Sequence, residues 1–235
     1  MPEIATNILV MAAGIVLAVA LSRQCRKPSW LLGRLNLWSM NRRHSSVTDW
    51  GLEAVHLERD FTILDVGCGG GRTIDKLAAF ASDGKVYGID YSSTSVATAR
   101  RTNSRWIAAG RADIQQGSVS HLPFPDRTFD VVTAIETHYY WPNPVGDLRE
   151  ILRVLKPGGR LVIIAETYKG TRFDALYLPA MKLLGANWLT VDEHRDLFLS
   201  AGFSDIEIRE ERSKGWICVV GRSPVHCQNL STGAS

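Results

Sequence analysis

The chain lacks several features that mark common classes of protein. Its 235 residues carry 27 lysines and arginines against 24 aspartates and glutamates, so the formal net charge is only +3 and no broad basic surface for nucleic acid is expected. The four cysteines, at positions 25, 68, 218 and 227, do not have the spacing of a metal site or of a disulfide framework. We therefore expect a globular protein of a reducing compartment, without a metal and without internal repeats.

Charge is also absent from the first long apolar run, residues 4–21. As a helix this run would be about 27 Å long, close to the hydrocarbon thickness of a bilayer. A cleaved signal peptide is disfavoured because Glu3 precedes the run without any lysine or arginine, and a buried or interfacial helix is a further interpretation. A basic flank follows at once, so we favour a single-pass membrane anchor over residues 1–27 that leaves the remaining chain in the cytosol.

Residues 28–57 are predicted to form a helical segment after the anchor. Its apolar and aromatic residues, among them Trp30, Leu35 and Trp38, stand beside the basic flank and suit the headgroup region of a membrane. The alternative is a helix packed on a sheet. Near the end of the segment, Trp50 is a candidate lid residue over a ligand or, alternatively, a core residue.

A glycine cluster follows the first apolar strand pattern, in the run ILDVGCGGGRT at residues 63–73. The run predicts a strand, a tight turn and a helix whose N-terminus suits an anionic group. A dinucleotide fingerprint is excluded because Arg72 stands where its third glycine belongs, and the Walker lysine is absent. Asp65 before the glycines fits a ligand with an amine beside its carboxylate, as in the methionine end of S-adenosylmethionine.

A second acid ends the next buried strand pattern, at Asp90, about twenty residues after the glycines. A carboxylate at this place binds ribose hydroxyls in doubly wound folds. The alternative role is that of a helix N-cap, since Ser92 and Ser93 follow directly.

Two further motifs complete an ordered set, at residues 122–134 and 155–163. Together the motifs resemble the class I S-adenosylmethionine-dependent methyltransferases, in the type 11 branch that includes ubiquinone and menaquinone methyltransferases. The resemblance covers about residues 61–164 and continues more weakly to 221. It implies S-adenosylmethionine as the cofactor and an α/β fold, a Rossmann-like, doubly wound, seven-stranded sheet that is mostly parallel with a C-terminal antiparallel hairpin.

The same resemblance implies a set of cofactor-binding residues. Asp65 would lie near the amine, Asp90 would hold the ribose and Tyr91 would lie against the adenine. The full set is Asp65, Gly67, Cys68, Gly69, Asp90, Tyr91, Ser118, Val119 and Ile135. One position departs from the family, which often has an acid after the third strand. Ser118 stands there, and its hydroxyl can still accept a hydrogen bond from the adenine amine.

The residues after the fourth predicted strand are the candidates for chemistry, since ligands of open α/β sheets bind beyond the carboxyl ends of the strands. Glu136 and His138 are candidate bases for a phenol or an enol, or else polar groups that shape the loop. Tyr139, Tyr140 and Trp141 are predicted to form the walls of an acceptor pocket.

The alternation of patterns predicts a parallel sheet covered on both faces. Strands are expected near 61–66, 85–90, 112–116, 129–135 and 159–166, and helices near 71–82, 93–104 and 144–155. Thr190 and Glu193 form a predicted capping box for a last helix that ends at Gly202. A hairpin over 206–212 and 215–222 would close a methyltransferase domain of residues 58–222, followed by a disordered tail, 223–235.

Three functions agree with these patterns. The favoured one is a methyltransferase acting on a small, apolar or lipid-like acceptor near the membrane. A methyltransferase for protein or RNA would want a basic groove or an appended recognition domain, neither of which the sequence shows, so no nucleic-acid partner is expected. A protein that binds S-adenosylmethionine without turnover is disfavoured by the positions of Glu136 and His138.

Overall fold

A seven-stranded sheet organises residues 45–225, the part of the chain that the computed structural model describes. The strands are β1 (Thr62–Val66), β2 (Lys85–Asp90), β3 (Ala112–Gln116), β4 (Phe129–Ile135), β5 (Leu155–Ala165), β6 (Ser204–Glu211) and β7 (Trp216–Arg222). Their order is β3-β2-β1-β4-β5-β7-β6, and β7 runs antiparallel to both β5 and β6. The remaining pairs are parallel, so the predicted Rossmann-like mixed sheet with its C-terminal hairpin is confirmed.

Helices cover the sheet on both faces. They are α1 (Ser45–Leu52), α2 (Arg72–Phe80), α3 (Ser93–Thr102), α4 (Ser104–Ala108), α5 (Pro144–Val154), α6 (Asp174–Leu184) and α7 (Val191–Ala201), with a 3-10 turn at His138–Tyr140. Successive strand residues point to opposite faces. Leu64 of β1 belongs to a buried cluster with residues of α5 and α7. Its neighbour Ile63 belongs to a second buried cluster, with residues of α1, α2 and α3.

Local sequence explains where several helices begin and end. The Ser92 side chain caps α3, and the Asn143 side chain caps α5 immediately before Pro144. Thr190 and Glu193 form the predicted capping box of α7, and Gly202 ends that helix in a left-handed conformation. These signals were readable in the sequence because each depends on side chains within one helical turn.

Three elements differ from the sequence-based expectation, among them the short helix α4, which was not predicted. β5 begins at Leu155, earlier than predicted, because Phe129 pairs with Leu155 before the register shifts and Val131 pairs with Arg160. The sequence patterns gave no prediction of α6. That helix contains Pro179, and its apolar residues lie on all of its sides, so no contrast between an apolar and a polar face marks it in the sequence.

Within residues 45–225, no helix is both long and apolar enough to cross a bilayer. The predicted anchor, the first part of the predicted segment at 28–57, and residues 226–235 of the predicted tail lie outside the described residues. Ser223, at the start of that tail, is buried and exchanges backbone hydrogen bonds with Gly158 and Gly159.

Candidate active site

A cavity of about 380 Å³ lies at the carboxyl ends of β1, β2 and β4. The chain leaves β1 toward β2 on one side, whereas β4 lies on the other, so this is the topological switch point where doubly wound sheets bind ligands. All nine predicted cofactor residues line the cavity, namely Asp65, Gly67, Cys68, Gly69, Asp90, Tyr91, Ser118, Val119 and Ile135. Its volume suits a small-molecule ligand.

Asp65 presents a buried carboxylate in this wall. The side chain is 2% exposed, and the Thr133 hydroxyl donates a hydrogen bond of 2.7 Å to its Oδ1. Burial raises the pKa of Asp65 from 3.8 to about 7, the Asp90 charge acts in the same direction, and the Thr133 bond opposes both. A buried carboxylate is stabilised in its ionised form by a nearby cation. Asp65 is therefore suited to bind an ammonium group.

Asp90 is held by the backbone around it. Its Oδ2 accepts a hydrogen bond of 2.9 Å from the Gly69 N–H, and its Oδ1 accepts one of 2.8 Å from the Ser92 N–H. Burial raises the pKa of Asp90, and these two bonds oppose the rise. Ser92, rather than Asp90, is the N-cap residue of α3. Each carboxylate oxygen has two lone-pair sites, so Asp90 retains the capacity to accept bonds from two vicinal hydroxyls.

The glycine loop lies tight against the neighbouring strands. The backbone N–H groups of Gly67 and Cys68 both donate to the Ile89 carbonyl, at 2.8 and 2.9 Å, which ties the loop to β2. Gly67 has a φ of 73°, and a Cβ there would lie 2.3 Å from the Thr137 hydroxyl oxygen. Only glycine fits this position, and the loop leads directly into the N-terminus of α2.

These residues fit S-adenosylmethionine. Asp65 offers a negative charge to its amine, Asp90 offers acceptors to its ribose, and the N-terminus of α2 suits its carboxylate. The buried charge of Asp65 carries most of the argument, because a pyrophosphate at the same place would bring two negative groups together. The structure thus agrees with the ligand chemistry that the sequence predicted.

Two cavity residues that the sequence analysis missed come from α1, Ser45 and Thr48. Arg72 donates from Nη2 to the Ser45 hydroxyl at 2.9 Å, and Lys76 donates to the same oxygen at 3.1 Å, so α1 is held beside α2 at the cavity. Trp50, the candidate lid residue, lies on the other side of α1, where its ring centroid is 5.8 Å from that of Trp216. The described part of the predicted segment is helical only over Ser45–Leu52, and the cavity-facing residues of this helix are the small polar ones.

Glu136 lines the cavity in an unusual backbone conformation. Its φ is 57°, which is rare for a residue other than glycine and costs about 1–3 kcal/mol. Its N–H donates to the Ile164 carbonyl at 3.0 Å, and its Oε1 accepts a hydrogen bond from the Glu166 N–H. The end of β5 therefore fixes the direction of this carboxylate at the cavity wall, as expected for a positioned functional group.

Of the three aromatic residues predicted as pocket walls, Tyr140 and Trp141 line the cavity and Tyr139 does not. Tyr139 is buried, and its hydroxyl donates to the Thr167 carbonyl at 2.8 Å. His138 is buried as well, with its Nε2 at 3.3 Å from Nε2 of His194. The structure corrects the proposed roles of His138 and Tyr139, because the 3-10 turn directs both side chains into the protein, where they pack the loop.

The two buried histidines predict a loss of stability in acid. Burial lowers the pKa of His138 and of His194 below the ordinary 6.5, and the neighbouring His194 lowers that of His138 further. Their contribution to the free energy of unfolding is therefore present above about pH 6.5 and decreases as the pH falls, by up to about 1.4 kcal/mol per pH unit for each histidine. Urea unfolding from pH 8 to 5 should show this loss, and His194→Gln should reduce its slope.

His56→Gln is the matched control for that measurement, because the His56 side chain is 75% exposed. It should leave the slope of the wild type unchanged. Equal slopes for the wild type and His194→Gln would contradict the assignment of the acid sensitivity to the buried pair.

Comparisons with known proteins agree with this geometry. A family model described as a methyltransferase domain matches residues 64–163. A demethylmenaquinone methyltransferase of Geobacillus sp. (strain WCH70) is 30% identical over 201 residues, which cover 75% of this chain and 85% of that protein. A demethylmenaquinone methyltransferase of Lactiplantibacillus plantarum is 37% identical over 111 residues, 47% of each chain. The chain thus spans about half the length of some curated relatives and most of another.

Solved structures show the same fold. Human N-acetylserotonin methyltransferase in complex with S-adenosylmethionine has a TM-score of 0.66 at 21% identity, with 80% of this chain and 55% of that chain covered. The methyltransferase in a complex with the Haloferax volcanii Trm112 activator has a TM-score of 0.70 at 24% identity, with coverage of 80% and 94%. The chain therefore belongs to the class I S-adenosylmethionine-dependent methyltransferases, and S-adenosylmethionine is its cofactor.

Proposed function

We propose that the protein transfers a methyl group from S-adenosylmethionine to a small, apolar or lipid-like acceptor at a membrane. The observation that carries the proposal is the division of the cavity wall. Asp65, Asp90 and the glycine loop lie at β1 and β2, whereas Tyr140, Trp141 and Pro142 form an aromatic and apolar wall after β4, beside Glu136. Relatives named for demethylmenaquinone and for cycloartenol support an acceptor of this kind.

The chain's own residues would bind and orient both ligands. The cofactor supplies a methyl group that its sulfonium already activates, so the protein needs chiefly to align the reactants and to exclude water. Asp65 would bind the amine and Asp90 the ribose hydroxyls. Tyr140 and the nearly buried Trp141 would provide apolar contact to the acceptor and keep water from it.

Glu136 is the proposed proton acceptor. It is the carboxylate at the end of β4 that lines the cavity beside the aromatic wall, and the Glu166 N–H orients it. A base is required only for an acceptor whose phenol or enol stays protonated at neutral pH. Proton transfer to Glu136 would then accompany methylation of the acceptor oxygen or carbon.

A labelling experiment tests the proposed function. Full-length protein, S-adenosylmethionine with an isotopically labelled methyl group and a membrane lipid extract are incubated together, and the products are resolved by mass spectrometry. We expect the label in a lipid-extractable small molecule, and much less of it with Asp90→Ala, which removes the ribose acceptors. Label confined to protein or RNA, or no transfer to any fraction, would overturn the proposal.

The membrane location rests on the sequence before Ser45. The uncharged run at 4–21 and the basic residues after it favour a single span with the catalytic domain in the cytosol. We expect the full-length protein to remain in the membrane pellet after an alkaline carbonate wash, since such a wash strips proteins bound only by charge. Recovery of the protein in the supernatant would contradict a spanning segment.

A further inference from the structure

Helix α6 exposes an apolar stripe. Leu176 and Leu183 are 71% and 51% exposed, and Pro179 and Ala180 between them are exposed as well. These four residues, the α6 stripe, stand at positions i, i+3, i+4 and i+7, so they form one continuous face of the helix. Met181 packs against the hydrophobic core from another side. The stripe is thus the outer face of a helix that is docked on the protein.

The stripe lies close to the acceptor side of the cavity. Asn187, three residues after α6, donates its Nδ2–H to the Trp141 carbonyl at 2.8 Å. Its backbone N–H donates to the Tyr139 carbonyl, also at 2.8 Å. The chain that leaves α6 is therefore bonded to the loop whose Tyr140 and Trp141 line the cavity.

The start of α6 is linked through β7 to α1, the first helix that the structure describes. Arg172, just before α6, donates to the Ser213 carbonyl at 2.7 Å in the turn between β6 and β7. β7 begins at Trp216, whose ring packs on Trp50 of α1. The first residue of α1 is Ser45, which lines the cavity. The cavity, the start of α6 and the start of α1 therefore lie at the carboxyl end of the sheet, where β1, β4 and β5 end.

Exposed basic side chains lie on α6, just before it, and in the turn between β6 and β7 to which Arg172 is bonded. They are Arg172, Lys182, Arg212 and Lys214. Acidic groups lie among them as well: Glu211 precedes Arg212, and Asp174 accepts hydrogen bonds from the Gly170 and Thr171 N–H groups. Glu210 accepts one from the Tyr168 hydroxyl and pairs with Arg212. With Arg212 paired, Arg172, Lys182 and Lys214 outnumber the carboxylates of Asp174 and Glu211, so the exposed apolar stripe and its surroundings suit the interface of a bilayer with anionic headgroups.

We propose that the α6 stripe contacts the surface of an anionic lipid bilayer and holds the acceptor side of the cavity against it. The 44 residues that precede α1 support this occupant, because their sequence includes an uncharged run of 18 residues followed by Arg23, Arg26 and Lys27, and α1 begins at Ser45 in the cavity wall. This proposal rests on the proposed function, which places the protein at a membrane through its N-terminal span. It adds a second contact with the bilayer, made by the catalytic domain. An apolar acceptor would then enter the cavity without crossing water.

Photo-crosslinking of the full chain tests this contact. A photoreactive p-benzoylphenylalanine replaces Leu183, and the protein is reconstituted with vesicles of phosphatidylcholine and phosphatidylglycerol. The matched control places the same residue at Leu199, which is 55% exposed on α7. Leu199 lies toward the opposite, amino end of the sheet. Its helix ends at Ala201, close to Ser204, and Ser204 pairs with Arg222, which in turn pairs with Arg160 in the early part of β5.

We expect about tenfold more lipid adduct from position 183 than from position 199, because interfacial side chains lie about 5–10 Å into the bilayer. Adduct with residues 1–44 of the same chain, adduct with a second copy, or equal lipid adduct from both positions would each overturn the proposal. A second probe at Leu176, also exposed, repeats the test should the first substitution disturb folding. The readout needs no turnover, so it is independent of whether labelling finds a lipid-like acceptor.

Discussion

Replacing Glu136 by glutamine should lower the turnover number by about 10²–10⁴-fold while leaving the affinity for S-adenosylmethionine nearly unchanged. The amide keeps the shape of the side chain and can still accept the hydrogen bond from the Glu166 N–H, but it cannot take a proton. The loss should therefore fall on the chemical step. Single-turnover kinetics with the acceptor found by labelling, together with calorimetric titration of the cofactor, measures both quantities.

Glu166→Gln provides the matched control for Glu136→Gln. Glu166 stands at the end of β5 beside Glu136, yet its side chain is not among the residues lining the cavity. Its substitution should leave turnover within about twofold. If Glu136→Gln also leaves turnover within that range, Glu136 only shapes the loop and the acceptor requires no base from this chain.

Gly67→Ala should lower both the free energy of unfolding and the affinity for the cofactor. A Cβ at Gly67 would lie 2.3 Å from the Thr137 hydroxyl oxygen, and the φ of 73° adds the cost of a left-handed alanine. We expect a loss of about 3 kcal/mol in stability, from the strain and the displacement of Thr137 together. The affinity should fall at least about tenfold, since the loop that approaches the ligand must shift.

Gly110→Ala separates the cost of the left-handed backbone conformation from the cost of the clash with Thr137. Gly110 has a φ of 71°, and a Cβ there would meet no atom within 4 Å, so its substitution carries the conformational cost alone, about 1–2 kcal/mol. Urea unfolding of both variants gives the difference due to the clash. Equal losses of unfolding free energy for Gly67→Ala and Gly110→Ala would show that the clash with Thr137 contributes nothing to the cost.

The cofactor side of the cavity could be predicted from sequence because its constraints are local. Asp65 and Asp90 end their strands, and β1 pairs with β2 in parallel, so their positions follow once the two strands are recognised. The glycines mark a backbone conformation that other residues rarely adopt, and this again is encoded at the position itself. Spacing together with the resemblance to the methyltransferase family therefore sufficed to predict that these residues share one site.

The acceptor side was harder because side-chain direction there depends on distant contacts. His138 and Tyr139 turn inward because His194 and the Thr167 carbonyl receive them, and both partners come from residues beyond β5. No local pattern distinguishes them from Tyr140 and Trp141, which line the cavity. The outer face of α6 was likewise hidden, because apolar residues lie on all sides of this helix and no polar face marks the exposed side in the sequence.

Calorimetric titration of the full-length protein with S-adenosylmethionine at pH 6 to 8 tests the central claim most directly. Burial raises the pKa of Asp65 to about 7, and a cationic amine binds the ionised form, so affinity should fall as the pH decreases below about 7. Asp65→Asn should weaken binding and remove this pH dependence. Absence of saturable S-adenosylmethionine binding, or tight binding of NAD in its place, would contradict the account.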